Sequence, residues 1–250
     1  MKFKRSLAAV SALAAALVSV LTLTPATSAL ASGPVWTGYL DVAHGTTVFN
    51  RVTADVKIPS IVACTSEDSK ASFWIGIWGG NAVEQVGIST DCTGALHNIR
   101  AWYEQVPAAG GAKYQFTAFP GDSIAMAVSY DNSTKKYDLA LTDLSRPSPS
   151  TKFNVSLPCP PGVNANCRNL NAGAILEASG GTNLSQFSTM SFTEFQAVTD
   201  TGAVTGLKAN GAAWGLAKTL MVGANGQPLA DLSAITNNGE NFSLTYKQPR

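Results

Sequence analysis

The chain has 250 residues, 17 of them Lys or Arg against 16 Asp or Glu, and only 13% of its residues are charged. With near-zero net charge and no basic runs, it lacks the strong positive field of a protein that binds nucleic acid or an anionic membrane surface. Its 22 glycines and sparse charges suit a β domain with many tight turns.

The first element in chain order is a leader. Lys2, Lys4 and Arg5 precede an apolar stretch from Leu7 to about Leu23. Pro25 and the triplet Ala29-Leu30-Ala31 follow, with small residues at the two positions a signal peptidase reads. This is the plan of a signal peptide over residues 1–31, cut after Ala31, and it predicts a secreted, extracellular protein. An uncleaved anchor is the alternative, but the Ala-rich core directly before an A-x-A site argues against it. No later stretch is apolar enough to span a bilayer. The expected mature chain, 32–250, keeps 14 basic and 16 acidic residues, a net charge of about −2. Its length suits a single β domain with a sizeable core.

From Trp36 onward, short alternating runs separated by turn residues predict strands. They cover about 35–42, 48–58, 71–78, 83–89, 98–106, 113–118, 123–130, 136–142, 151–156, 172–178, 187–197, 214–221 and 240–246. Gly79-Gly80-Asn81 and Pro120-Gly121-Asp122 read as turns, and Asn210-Gly211, Asn225-Gly226 and Asn238-Gly239 punctuate the C-terminal part. No helical period, internal repeat or linker competes. The expected fold is all-β: an antiparallel β-sandwich of two packed sheets.

The four cysteines, Cys64, Cys92, Cys159 and Cys167, allow three pairings in an exported protein. Cys159 and Cys167 bracket a Pro/Gly/Asn loop, so a local bridge is the simplest closure. Cys64 and Cys92 flank a predicted hairpin and lie at the same end of it. A zinc site is the rival, but neither C-x-x-C spacing nor a nearby His pair is present.

Strand parity groups residues by face. Trp74, Gly76 and Trp78 oppose Phe73, Ile75 and Ile77. Gln85 opposes Glu84, which sits with the apolar Val86 and Ile88. Trp102 and Glu104 share a face, and Glu177 shares one with Gly173 and Ile175. These parities predict one sheet whose non-core face carries Trp74, Trp78, Gln85, Trp102, Glu104 and Glu177, a face more like a binding groove than a solvated surface.

Six segments in order resemble the glutamic peptidases, or eqolisins. They are Trp36-Thr37-Gly38-Tyr39; Phe73-Trp74-Ile75-Gly76-Ile77-Trp78-Gly79; Val83-Glu84-Gln85-Val86-Gly87; Ala101-Trp102-Tyr103-Glu104; Pro120-Gly121-Asp122-Ser123-Ile124; and the run from Cys167 to Glu177. The resemblance implies a sandwich of two bent sheets with the site in a concave groove. It also implies endopeptidase activity with Gln85 and Glu177 as the catalytic pair, and Trp74, Trp102 and Glu104 as groove residues; strand parity adds Trp78 to these candidate substrate-binding residues. Such chemistry needs neither cofactor nor metal: a Glu takes a proton from water and returns it to the leaving amine, while a Gln amide holds water and carbonyl oxygen without titrating. The expected partners are polypeptide substrates bound by a monomer, with no nucleic acid and no membrane after signal cleavage.

The sequence departs from the family pattern where the groove usually holds aspartates; the matching positions are Trp78, Ser89 and Arg100. Arg100, if close, should lower the pKa of Glu177, giving a milder pH optimum or a lost activity. There is also no room between Ala31 and Trp36 for the long propeptide of fungal members. Two rival readings remain. A glycoside hydrolase would use Glu104 and Glu177, and a non-catalytic module would keep the groove for peptide or glycan binding. His44 and His97 are too few and too far apart in sequence for a metal site or a triad.

Overall fold

The alternation in the sequence becomes strands wherever one face can be buried. The computed structural model describes residues 35–248 except 61, 94–95, 108–109, 161–166, 179–182 and 224. The expected leader therefore lies outside the described residues, as does most of the Cys159–Cys167 loop.

The first half of the chain forms β1 (Trp36–Ala43), β2 (Phe49–Lys57), β3 (Val62–Ala63), β4 (Lys70–Gly79), β5 (Ala82–Thr93), β6 (Leu96–Val106), β7 (Lys113–Thr117) and β8 (Ser123–Asp131). The second half forms β9 (Lys136–Asp143), β10 (Lys152–Pro158), β11 (Asn171–Glu177), β12 (Gln186–Phe187), β13 (Thr189–Thr199), β14 (Val204–Thr205), β15 (Trp214–Thr219), β16 (Ala230–Leu232) and β17 (Phe242–Tyr246). Each predicted strand has a counterpart, although the one expected over 187–197 is divided at Ser188 into β12 and β13. The predicted turn at Gly80 has φ +60° and that at Gly121 has φ +88°, values that favour glycine.

Two antiparallel sheets pack face to face. One runs β15-β1-β11-β4-β5-β6-β7, and the other runs β10-β9-β8-β2-β13-β17-β16 with β14 added beside β13. Between them lies the core: Phe73, Ile75 and Ile77 of β4 and Val86 and Ile88 of β5 meet Val52 and Val56 of β2 and Ile124, Met126 and Val128 of β8. Each such side chain contributes about 1.5–3 kcal/mol by leaving water. In β8 burial alternates strictly, so one face of that sheet is covered and the other is wet. β4 and β5 differ, being buried on both faces over most of their length. Their second face, directed away from the other sheet, holds the groove residues.

Two disulfides anchor the ends of these elements. Cys64 pairs with Cys92 and Cys159 with Cys167, at Cα separations of 5.7 and 6.0 Å. Both pairs match the expected closures.

Candidate active site

Register builds the site. One row across the sheet runs Glu177, Ser72, Ser89, Arg100, on β11, β4, β5 and β6. The next runs Ile175, Trp74, Gly87, Trp102, and the one after it Gly173, Gly76, Gln85, Glu104. Because each row is two residues from the next along every strand, all of these positions share one face. Trp78 lies one row further, opposite Asn171 and Val83. The six predicted site residues thus occupy one face of one sheet, with Gln85 and Glu177 on a diagonal that the Trp74 row crosses.

The side chains on that diagonal are held. Trp74 Nε1 donates to Glu177 Oε2 at 3.0 Å, and Gln85 Nε2 donates to Glu104 Oε2 at 3.0 Å. The second bond fixes the carboxamide with its nitrogen toward the carboxylate, since the reverse would set oxygen against oxygen. Gln85 Oε1 is buried with no hydrogen-bond partner among the described residues, and so are the indole nitrogens of Trp78 and Trp102. Unpaired buried polar atoms are uncommon and costly, and three of them on one face mark a place built to receive hydrogen-bonding groups.

Burial pushes the Glu177 carboxyl above the usual range. The Trp74 indole offsets part of this, the Glu104 carboxylate adds repulsion, and Trp36 contributes a smaller opposing effect. Glu104 is also pushed up by burial, with Gln85 pulling the other way. The Glu104 carboxylate is thus felt at Glu177 across the Trp74 row.

Aromatic rings form the rest of the face. Trp74, Trp78, Trp102 and Ile175 make a small apolar cluster separate from the core, with Trp36, Leu40, Val83 and Ala112 packed on it. Trp36 meets Trp74 edge-on at 5.1 Å and Trp78 at 6.0 Å. Gly87 makes the packing possible: a Cβ there would lie 2.7 Å from Trp74 Cβ and 2.8 Å from Trp102 Cζ2. Trp36 was missing from the predicted site. It pairs directly with Glu177 across β1 and β11, and its alternation with Gly38 and Leu40 was readable, but the identity of its neighbour was not.

Arg100 is a correction. It does share the face, but it lies three strands from Glu177, and its Nη2 is bound to Asp91 Oδ2 at 2.7 Å. It is not among the groups that shift Glu177, whose pKa is raised rather than lowered. Ser89, also at a departed position, bonds Ser72 at 2.8 Å between their hydroxyls. Among the described residues no group of three or more His, Cys, Asp or Glu is arranged to hold a metal ion, and no helix is long and apolar enough to cross a membrane.

Fold and site together define a class: a β-sandwich hydrolase carrying a carboxyl–carboxamide pair on the outer face of one sheet. The sequence profile of the Peptidase A4 family matches residues 34–246, and the chain belongs to that family, the glutamic-type peptidases. Comparison with curated proteins gives no sequence match. Among solved structures it resembles scytalido-glutamic peptidase bound to a transition state analog inhibitor, at 23% identity and TM-score 0.66, over 85% of this chain and 98% of that one. It resembles SCP-B, a member of the eqolisin family in complex with the tripeptide Ala-Ile-His, at 22% identity and TM-score 0.65 over the same shares. Aspergilloglutamic peptidase from Aspergillus niger follows at 22% identity and TM-score 0.56, over 72% of this chain and 100% of that one.

Proposed function

We propose that this chain is a secreted endopeptidase, with a leader over 1–31 and one peptidase domain over 32–250, that hydrolyses peptide bonds with Glu177 and Gln85. Glu177, as the carboxylate, takes a proton from the attacking water while the oxygen bonds to the scissile carbonyl carbon. The resulting carboxylic acid then gives that proton to the leaving amine as the C–N bond breaks. A pKa raised by burial suits a group that must play both parts near its own pKa. Gln85 has a second N–H beyond the one committed to Glu104 for the developing oxyanion, and an Oε1 free to accept from the water.

The observation that supports this reading is the held diagonal: Glu177 fixed by Trp74 and Gln85 fixed by Glu104, on one covered face. Engagement of Glu104 by the carboxamide also favours a positioning role for it over that of a glycosidase's second carboxyl. The test is digestion of an unfolded protein by the mature chain and by Glu177→Gln, with the products sequenced by mass spectrometry. Discrete cleavage by the wild type alone supports the proposal. A folded wild type that cleaves nothing between about pH 2 and pH 8 overturns it.

A further inference from the structure

At the β6–β7 end of the same face, four side chains form an arrangement that the hydrolytic chemistry does not use. Arg100 of β6 stacks on Tyr114 of β7, with its guanidinium carbon 3.5 Å from the ring centroid, and bonds Asp91 of β5. Tyr114 Oη donates to the same Asp91 Oδ2 at 3.0 Å. Lys70 of β4 is the register partner of Asp91, and alternation from Ser72 puts it on this face.

Asp91 is the carboxylate that pairs with Arg100, while Glu104, two rows from Arg100 on the same face, acts on Tyr114. Among the described residues no hydrogen bond or ion pair holds the Lys70 ammonium. The Asp91 side chain is only 6% exposed whereas that of Arg100 is 38% exposed, so the groove meets the guanidinium rather than its counter-ion. Asp91 occupies Nη2 alone; among the described residues the buried Nε has no partner and nothing bonds Nη1. A guanidinium held flat by an aromatic ring and anchored through Nη2 is pre-organised to offer Nη1 to a second carboxylate.

Position links this to catalysis. Arg100 sits in the Glu177 row, three strand spacings or roughly 14 Å away. An extended peptide crossing the strands from a bond at Glu177 reaches that distance in about four residues. We propose that Lys70, Arg100 and Tyr114, with Asp91 as anchor, form a specificity subsite that selects peptide substrates bearing an acidic side chain about four residues from the scissile bond. This rests on the peptidase reading above.

The test uses paired peptides that place Glu or Gln at each of the positions two to five residues from the cleaved bond, on either side. One position is expected to favour Glu by about five- to tenfold in kcat/KM at pH 6, and the preference should fade below about pH 4 as the peptide carboxyl protonates. Arg100→Gln should abolish it while cleavage of the Gln peptide persists. Arg100→Lys should keep part of it, and Lys70→Gln, which leaves Asp91 paired, should reduce it in a chain that folds normally. Binding of the same peptides to Glu177→Gln, followed by fluorescence anisotropy, reads the subsite with no turnover. Tighter binding of the Glu peptide, together with a folded wild type that cleaves none of the peptides, would uphold the subsite and sink the peptidase reading. Equal handling of Glu and Gln peptides at every position, or a preference untouched in Arg100→Gln and Lys70→Gln, overturns the subsite alone.

Discussion

Glu84 and Asp41 are carboxyls with no exposed surface on the core side of the seven-stranded sheet, and none of their oxygens has a well-formed hydrogen bond. Burial pushes each pKa up to about 8. For Glu84 nearby Gln105 and Tyr137 offset part of this, and for Asp41 Lys208 does. In the unfolded chain both titrate near 4. A carboxyl that holds its proton more tightly when folded gives its full contribution to stability below about pH 4 and loses it as pH rises toward 8. Four pH units at 1.36 kcal/mol each come to about 5 kcal/mol per group, and the two together rival the whole stability of an ordinary domain. The protein should therefore be most stable in acid and unfold on mild alkalinisation. Chemical denaturation from pH 4 to pH 8 measures this. The isosteric Glu84→Gln should match the wild type near pH 4 and exceed it by several kcal/mol at pH 8. A wild-type stability that is flat or rises over this range, or an unchanged slope in Glu84→Gln, would refute the reasoning.

Three further outcomes follow from the site. Glu104→Gln removes the like charge that raises Glu177, so the acidic limb of the kcat/KM profile should move to lower pH. Trp74→Phe removes the donor to Glu177 Oε2 and should move the same limb to higher pH, since a hydrogen bond to the charged form favours that form. Gly87→Ala would set a methyl 2.6 Å from the Phe73 carbonyl oxygen and against both tryptophans. Thermal melts should show a loss of about 1–3 kcal/mol, with activity falling further than stability.

The sequence was most readable where strands are long and one face is uniformly apolar. Alternation in β4, β5, β6 and β11 sets Gln85 and Glu177 each on the non-core side of its own strand, but only the pairing makes those sides one face. Alternation also set Glu84 among Val86 and Ile88, a conflict whose consequence, a carboxyl shut into the core, needed the second sheet to become visible. β3, β14 and β16 were not readable, and β12 was merged with β13, because two or three residues carry too little alternation and depend on tertiary partners. Arg100 shows the limit of position without partners. Its face was legible, but Asp91 and Tyr114, which hold it, and its three-strand distance from Glu177 depend on a strand pairing that periodicity does not encode. Trp36 likewise gained its meaning only from the β1–β11 pairing.

The measurement that bears most directly on Gln85 and Glu177 is kcat/KM for one defined peptide, from pH 2 to pH 8, in the wild type, Gln85→Ala, Glu177→Ala and the double variant. Residues that act as one catalytic unit are strongly non-additive. Each single variant should therefore lose nearly all activity at every pH while remaining folded, and the double variant should be no worse than Glu177→Ala. Substantial turnover by Glu177→Ala, or losses that simply multiply in the double variant, would contradict a shared Glu177–Gln85 mechanism.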